Sequence, residues 1–392
     1  MIINNYCTEV GALSYNHVGE QLCGDHYQIV KPDENTTVVV LADGLGSGVK
    51  ASILSTLTSE IISTMIANNL SIEQCVETIA ETLPVCKERG IAYSTFTILK
   101  ITNNKFVQIY NFDNPEPIML RNGKEKIIPS SMIEICGKKI YRSEIEAQLY
   151  DVFILLSDGT IHAGLGQSMN FGWERPQIVD YMSALYNENY SSKTLATELV
   201  SHCNDLYGGK PGDDTTALVL RVRKRAQVNL LIGPASTIDD DGKMLSLFFA
   251  KEGKHIVCGG STSNMVAKYL NKPLIMDTDY VDPEIPPTSS LEGVDLVTEG
   301  IITINKVLAY AKNNLADNKD YFEWCFKQDG ASQIAKILFE EATDINFFVG
   351  CAVNPAHQQP GVKINFTIKM QLIDELAKTL KMMGKKIKVS YF

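Results

Sequence analysis

Asp25, Asp43, Asp158 and Asp213 are the residues of this chain whose type and setting point to chemistry. Asp43 ends the apolar run Val38-Val39-Val40-Leu41-Ala42 and is followed by glycines at 44, 46 and 48. Asp158 follows Val152-Phe153-Ile154-Leu155-Leu156-Ser157, and Gly212-Asp213-Asp214 directly precedes Thr215-Thr216-Ala217-Leu218-Val219-Leu220. Upstream, Cys23-Gly24-Asp25 leads into His26-Tyr27-Gln28-Ile29-Val30. Each reads as a strand that delivers a carboxylate to a cleft, with glycines letting the backbone approach closely. Carboxylates, backbone carbonyls and water suit a hard cation such as Mg2+ or Mn2+, whereas zinc would want His and Cys. Aspartates gathered without a cation would repel and raise one another's pKa, so the cluster itself argues for bound metal.

The elements that must hold these residues are legible around them. Tyr6 to Tyr15 alternates loosely and reads as an edge strand. After Gly48, a helix opens near Lys50 and carries Ile53, Leu54, Leu57, Ile61, Ile62, Met65 and Ile66 at helical spacing. Ser71-Ile72-Glu73-Gln74 has the form of a capped helix start, and that helix runs towards Thr82. Tyr93 to Ile101 and Phe106 to Tyr110 read as strands joined by an Asn103-Asn104 turn. Asn111 to Pro117 reads as a structural turn. Helices follow over about 176–186 and 195–207.

The order GD, ADGxGxG, SDG and GDDTT, each on its expected strand, resembles the metal-dependent PP2C-type serine/threonine phosphatases in their bacterial SpoIIE/RsbU branch. The resemblance covers roughly residues 1–224. It implies an α-β-β-α sandwich of two antiparallel sheets, with the motif aspartates converging at one end between the sheets. It implies two ions, Mn2+ or Mg2+, with Asp43 as the bridging ligand and Gly44 contributing its backbone carbonyl. Asp158 and Asp213 would bind the second ion, Asp25 would contact the cluster through water, and Asp214 would steady Asp213. Two such cations would hold a water between them, lower its pKa and orient it for in-line attack on phosphorus. The chain is read as having neither a C-x5-R loop nor a DxDxT nucleophile, so no covalent intermediate is needed. His162 reads as a packed or surface histidine rather than a catalytic one.

With 392 residues and 45% hydrophobic content, the chain is long enough for two domains with their own cores. The boundary is placed at Arg221-Val222-Arg223-Lys224-Arg225, read as a solvated linker, giving domains over 1–224 and 228–392. In the second, strand, glycine-rich turn and helix recur from Val228, His255 and Glu292, which implies an α/β domain with a mainly parallel sheet. Gly259-Gly260-Ser261-Thr262-Ser263-Asn264 reads equally as an anion site at a helix start or as a capped turn. Glu299, at a comparable strand end, is placed to receive a ribose or sugar hydroxyl of a small anionic ligand. A final helix over about Gln371 to Met383 leads to a last, edge strand.

A net charge of −10 with no basic stripe in the first half makes nucleic acid an unsuitable partner. No basic region followed by an apolar core opens the chain, and no run approaches the roughly 20 apolar residues of a membrane helix. Nine scattered cysteines without a C-x-x-C pair fit a reducing cytoplasm. The expectation is a cytoplasmic phosphatase acting on phosphoserine or phosphothreonine of a partner protein. In this branch the partner is often an anti-sigma-factor antagonist, and the C-terminal domain would sense a ligand. The alternative is a signalling module whose phosphatase half has lost activity, against which the joint presence of Asp43, Asp158 and Asp213 speaks.

Overall fold

The computed structural model describes residues 5–82, 94–277, 280–352 and 363–392. Tyr93, placed at a strand start from sequence, lies outside them. Contacts divide the chain into two units, Met1–Lys224 and Arg225–Phe392.

The first unit runs β1 (Tyr6–Tyr15), β2 (Asp25–Asp33), β3 (Thr36–Gly44), α1 (Gly48–Ala67), α2 (Ile72–Thr82), β4 (Ser94–Thr102) and β5 (Phe106–Phe112). Then come β6 (Ile118–Arg121), β7 (Lys124–Glu125), β8 (Ser130–Ile135), β9 (Lys138–Glu146), β10 (Val152–Leu156), α3 (Asp158–Ile161), α4 (Arg175–Leu185), α5 (Ser192–Leu206) and β11 (Thr215–Lys224). Two antiparallel sheets form, ordered β1-β11-β10-β6-β7 and β2-β3-β4-β5-β9-β8. Val39, Leu41, Leu99, Ile109, Met119, Phe153, Leu155, Leu218 and Leu220 fill the layer between them. The alternate residues Val38, Val40 and Ile98 turn outwards under α1 and α2, and Ile154, Leu156 and Val219 turn outwards under α4 and α5. Strands buried on both faces explain the continuous apolar runs. The α-β-β-α sandwich is as expected.

Local signals hold where the turn chemistry is explicit. Ser71 N–H donates to Gln74 Oε1 at 2.9 Å and Gln74 N–H donates to Ser71 Oγ at 3.3 Å, a complete capping box. Asn103 and Asn104 have φ of 55° and 51°, the left-handed pair that a tight hairpin turn needs.

Two expectations are corrected. The buried face of α1 keeps only part of the expected stripe: Leu54, Ile62 and Ile66 are buried, but Ile53 and Leu57 are 54% and 45% exposed. Ala51, Ser55, Thr58, Ser59 and Ser63 complete the buried face. Small side chains let α1 lie close on β2 and β3. Their hydroxyls remain satisfied by donating to carbonyls of the preceding turn, as Thr58 does to Leu54 O at 2.8 Å. The run Arg221–Arg225 is not a solvated linker either, since Arg221 and Arg223 lie within β11 and are buried. Arg223 pairs with Glu9 at 2.9 Å, and the Arg221 guanidinium lies against the rings of Tyr150 and Tyr186, 5.8 and 5.6 Å from their centroids. Cation–π contact lets a guanidinium enter a protein interior.

The second unit runs β12 (Gln227–Ile232), α6 (Ile238–Phe249), β13 (Lys254–Cys258), α7 (Gly260–Leu270), β14 (Ile275–Met276), β15 (Ser289–Ser290), β16 (Leu296–Thr298) and α8 (Ile301–Leu315). It continues with α9 (Tyr321–Trp324), α10 (Gly330–Ala335) and a π-helical turn over Lys336–Glu341. The last elements are β17 (Asp344–Val349), α11 (Lys363–Met382) and β18 (Lys386–Tyr391). The sheet order is β14-β15-β16-β13-β12-β17-β18, parallel from β16 to β18 and antiparallel at β14 and β15. Residues of α8, α10 and α11 pack on one face, and residues of α6 and α7 on the other. Among the described residues no helix is long and apolar enough to cross a membrane.

Each unit encloses apolar clusters of its own, so a chain ending at Lys224 should fold alone with a single cooperative thermal transition. A fragment without cooperative melting by circular dichroism would show that its core is completed by later residues.

Candidate metal centre

Strand register and strand ends bring the predicted aspartates together. Asp25 and Asp43 are direct partners across β2 and β3, and Thr95 of β4 stands opposite Asp43 on the other side. Val39 and Leu41 face the layer between the sheets, so alternation turns Asp43 into the same layer. In the other sheet, β10 ends at Leu156, and Ser157-Asp158 turns the chain into the single turn α3. Ser157 N–H donates to Thr216 O at 3.0 Å and Thr216 N–H donates to Ser157 Oγ at 2.9 Å, locking that turn to the start of β11. Tyr207 Oη donates to Gly159 O at 2.9 Å from the end of α5. Gly44 ends β3 where α1 crosses it. A Cβ there would lie 2.2 Å from Ala51 O, so only glycine allows the helix to pack on the strand that carries Asp43.

The electrostatics are those of gathered like charges. The Asp43 carboxyl is pushed from its ordinary 3.8 up to about 9, by burial first and then by the charges of Asp25, Asp158 and Asp213. Asp25 is held well above its ordinary value by burial, with Asp214 and Asp158 adding to it. Burial and Asp158 also raise Asp213. The Cys23 thiol, which the sequence reading left without a role, is driven up by burial beside Asp25 and Asp214. Both Asp25 oxygens and one Asp214 oxygen are buried without a hydrogen-bond partner. Ser157 and Thr216 lie close enough to Asp25 to draw its pKa down somewhat. Their hydroxyls nevertheless point elsewhere, Ser157 to Asp214 O at 3.4 Å and Thr216 to Ser14 Oγ at 2.8 Å. Like charges resist being drawn together, and among the described residues no three acidic, His or Cys side chains close into a ready metal cage.

This donor set fits a hard divalent cation. It consists of carboxylates with unpartnered buried oxygens and the end of a strand at Gly44, and no lysine or arginine is a leading influence on Asp25, Asp43 or Asp213. Asp214 is more deeply buried than Asp213 and accepts from His17 N–H at 2.9 Å, so the pair splits between an inner and an outer position. His17 also lies close enough to Asp213 to lower its pKa, a contact between residues far apart in sequence that no motif announces. His162 is exposed at the end of α3. Cys136 and Arg142 do have C-x5-R spacing, contrary to the sequence reading. They belong to the β8–β9 hairpin, where Arg142 pairs with Glu144, and no helix start lies between them to hold a phosphate.

In the second unit, Gly259 and Gly260 open α7 at the carboxyl end of β13, Gly259 with φ of 107°. Thr262 Oγ1 accepts from Gly233 N–H at 2.9 Å, and Ser261 is exposed. The turn at Gly300 comes alongside Gly259. Glu299 does not face a ligand position: its Oε2 accepts from Ile302 and Thr303 N–H at 3.0 and 3.3 Å, capping α8. The order in which strands are added reverses between the parallel neighbours β12 and β17, one strand away from this loop. There a Cβ on Gly350 would lie 2.2 Å from Gly233 O, so the switch-point crevice is closed by backbone.

Residues 33–223 match the family model described as Stage II sporulation protein E (SpoIIE). The match is to the PP2C-type phosphatase domain of this family. No curated protein matches the chain. Among solved structures, the chain is similar to the PP2C phosphatase domain and a fragment of the regulatory domain of SpoIIE from Bacillus subtilis. Identity is 19%, the TM-score is 0.49, and the match covers 56% of this chain and 64% of that one, just under two thirds of its length. It is also similar to the RsbU and RsbW domains of Rv1364c from Mycobacterium tuberculosis, at 14% identity and TM-score 0.46, over 62% of this chain and 70% of that one. The catalytic domain of PstP in complex with 2 manganese ions matches at 15% identity and TM-score 0.38, over 56% of this chain and 100% of that one.

A raised carboxyl pKa means that folding favours the protonated form. The stability Asp43 contributes is therefore full below its ordinary 3.8 and is lost as pH rises towards about 9. Asp43→Asn mimics the neutral form. In EDTA its melting temperature should exceed that of the unsubstituted protein, by a margin that grows from pH 5 to pH 9 in differential scanning fluorimetry. A constant margin would mean that Asp43 carries no such burden.

Proposed function

We propose that this chain is a metal-dependent phosphoprotein phosphatase of the cytoplasm, acting on phosphoserine or phosphothreonine of a partner protein. The convergence of Asp25, Asp43, Asp158, Asp213 and Asp214 on one end of the sandwich is the observation that carries the reading. Asp43 stands at the centre of the group, under the charge of Asp25, Asp158 and Asp213 together, which suits it to hold two ions. Asp158 and Asp213 come from the opposite sheet and serve the second ion. Gly44 adds its backbone carbonyl, and Asp25 and Asp214 close the site from behind. When bound, two Mn2+ or Mg2+ ions would supply an activated water and neutralise the phosphoryl oxygens. The aspartates orient them, and the apolar layer beneath Asp43 excludes competing water. Phosphoryl transfer depends mainly on such positioning and charge, so a site without a protein nucleophile suffices.

On the SpoIIE family match, the proposed partner is an anti-sigma-factor antagonist in a signalling pathway. For the second unit the reading is a sensing role, with a small anion held at Gly259, Gly260, Ser261 and Thr262. Support comes from the α7 amides that open without an acid in the first turn and from the free space around Gly260.

The protein should hydrolyse p-nitrophenyl phosphate with Mn2+ or Mg2+ and lose this activity in EDTA. Asp43→Ala or Asp213→Ala should lower kcat by about 100-fold or more, the scale for losing a main electrostatic element. Undiminished turnover in EDTA would overturn the reading. For the second unit, a thermal-shift screen of nucleotides and sugar phosphates should give a hit on the full chain that Gly260→Val abolishes. A hit that survives Gly260→Val would leave this loop a capped turn.

A further inference from the structure

A cavity of about 340 Å3 opens in the first unit, lined by Ile109, Asn111, Asn114, Tyr141 and Ser143, with Glu116 and Ser130 at its rim. It lies in the same layer as the aspartates. On β5, Val107 and Ile109 face the core between the sheets, and on β9 Ile145 does the same, so Asn111, Ser143 and Tyr141 point the same way. The registers place Tyr141, Asn111, Thr97 and Leu41 in one row across β9, β5, β4 and β3, and Asp43 is two residues beyond Leu41. Two strand spacings and one side-chain repeat put the cavity floor roughly 12 Å from Asp43.

The floor is wired to the strands of the metal centre. Asn111 Oδ1 accepts from Thr97 Oγ1 at 2.7 Å, and Asn111 Nδ2 donates to Asn114 O at 2.9 Å. Asn114 Nδ2 donates to Thr97 Oγ1 at 3.1 Å, and Asn114 Oδ1 accepts from Thr95, the partner of Asp43 across the ladder. This is a buried polar floor of fixed shape beneath a half-exposed tyrosine ring.

We propose that this cavity is the specificity subsite of the phosphatase, receiving one bulky neutral side chain of the substrate protein that can hydrogen-bond. The inference rests on the phosphatase reading above. An extended substrate advances about 3.3 Å per residue, so a phosphoserine over Asp43 brings a residue three or four positions away to the cavity. The volume suits a tyrosine, tryptophan or glutamine side chain. Tyr141 offers a face to stack on, Ile109 and Ile128 offer apolar wall, and the second lone pairs of the asparagine carbonyls with the Ser143 hydroxyl offer polar partners. Glu116, paired with Arg175 at 3.8 Å, is the only charged residue in the lining, so the lining offers an acidic side chain no cation of its own.

The test uses the full-length protein with Mn2+, a phosphoserine peptide library degenerate at four positions on either side, and p-nitrophenyl phosphate as the substrate too small to reach the cavity. One position, three or four residues from the phosphoserine and on one side only, should select tyrosine, tryptophan or glutamine over glycine, aspartate and glutamate. Tyr141→Ala, which removes the stacking face, and Ser130→Trp, which fills the rim, should each lower kcat/KM for the preferred peptide about tenfold relative to p-nitrophenyl phosphate, mainly through KM. Both positions are exposed, so the variants should keep the fold. A flat selectivity profile, or equal losses on both substrates, would overturn the subsite while leaving the phosphatase reading intact. No Mn2+-dependent hydrolysis of either substrate would overturn that reading and the subsite with it.

Discussion

The constraint on which the first unit depends is the burial of like charge at one end of a β-sandwich. Asp25 and Asp214 are 4% and 3% exposed, yet neither has a cationic side chain as a hydrogen-bonding partner. Burying ionised carboxylates in this way costs several kcal/mol each unless they are neutralised by protons or by an ion. The fold tolerates this because the cost is local and large apolar clusters fill the layers of the sandwich. Three side-chain layers hold the sheets and helices together, so the strand ends stay aligned under mutual repulsion.

The buried Arg221 stands far from that end. Arg221 lies six residues along β11 from Thr215, roughly 20 Å from the aspartates at the strand rise of a sheet. There the guanidinium donates to Asn187 O at 2.8 Å and rests between two tyrosine rings. Arg121 holds the fully buried Asp151 at 2.7 Å nearby. These two arginines thus brace the far end of the sheet, away from the aspartates. The separation lets one sandwich contain both a stable interior and a site whose groups oppose one another.

The second unit solves a different problem with the same materials. Its parallel strands need helices on both faces, and the helices that follow β13 and β16 start at the strand carboxyl ends with free or side-chain-capped amides. The helix after β12 instead opens with Asp239, Asp240 and Asp241, which favours its dipole but repels anions. The two turns best suited by topology to hold a ligand are packed against each other at Gly233 and Gly350. Any anion site is thereby displaced to the neighbouring strand end at Gly259.

Local chemistry was readable from the sequence wherever a short stretch carried its own instruction. The Ser71–Gln74 capping box, the Asn103-Asn104 turn, the strands next to the aspartates and the parallel sheet of the second unit follow from periodicity and turn residues acting over a few positions, whereas the antiparallel sandwich was what the family resemblance implied. The motif order also marked the aspartates, because glycine next to acid at a strand end repeats too often to be a turn signal alone. What only the tertiary structure decided depends on which surfaces meet. On α1, small hydroxyl residues share the buried face with Leu54, Ile62 and Ile66 while Ile53 and Leu57 are left exposed, a choice that apolar spacing does not make. Arg221 looks like a linker cation until β1 and two tyrosines enclose it. Glu299 is claimed by the helix that begins two residues later. The placement of Asp214 behind Asp213, with His17 reaching both, arises from contacts across nearly two hundred residues. Side-chain period is a local property, whereas burial and charge environment belong to the assembled layers.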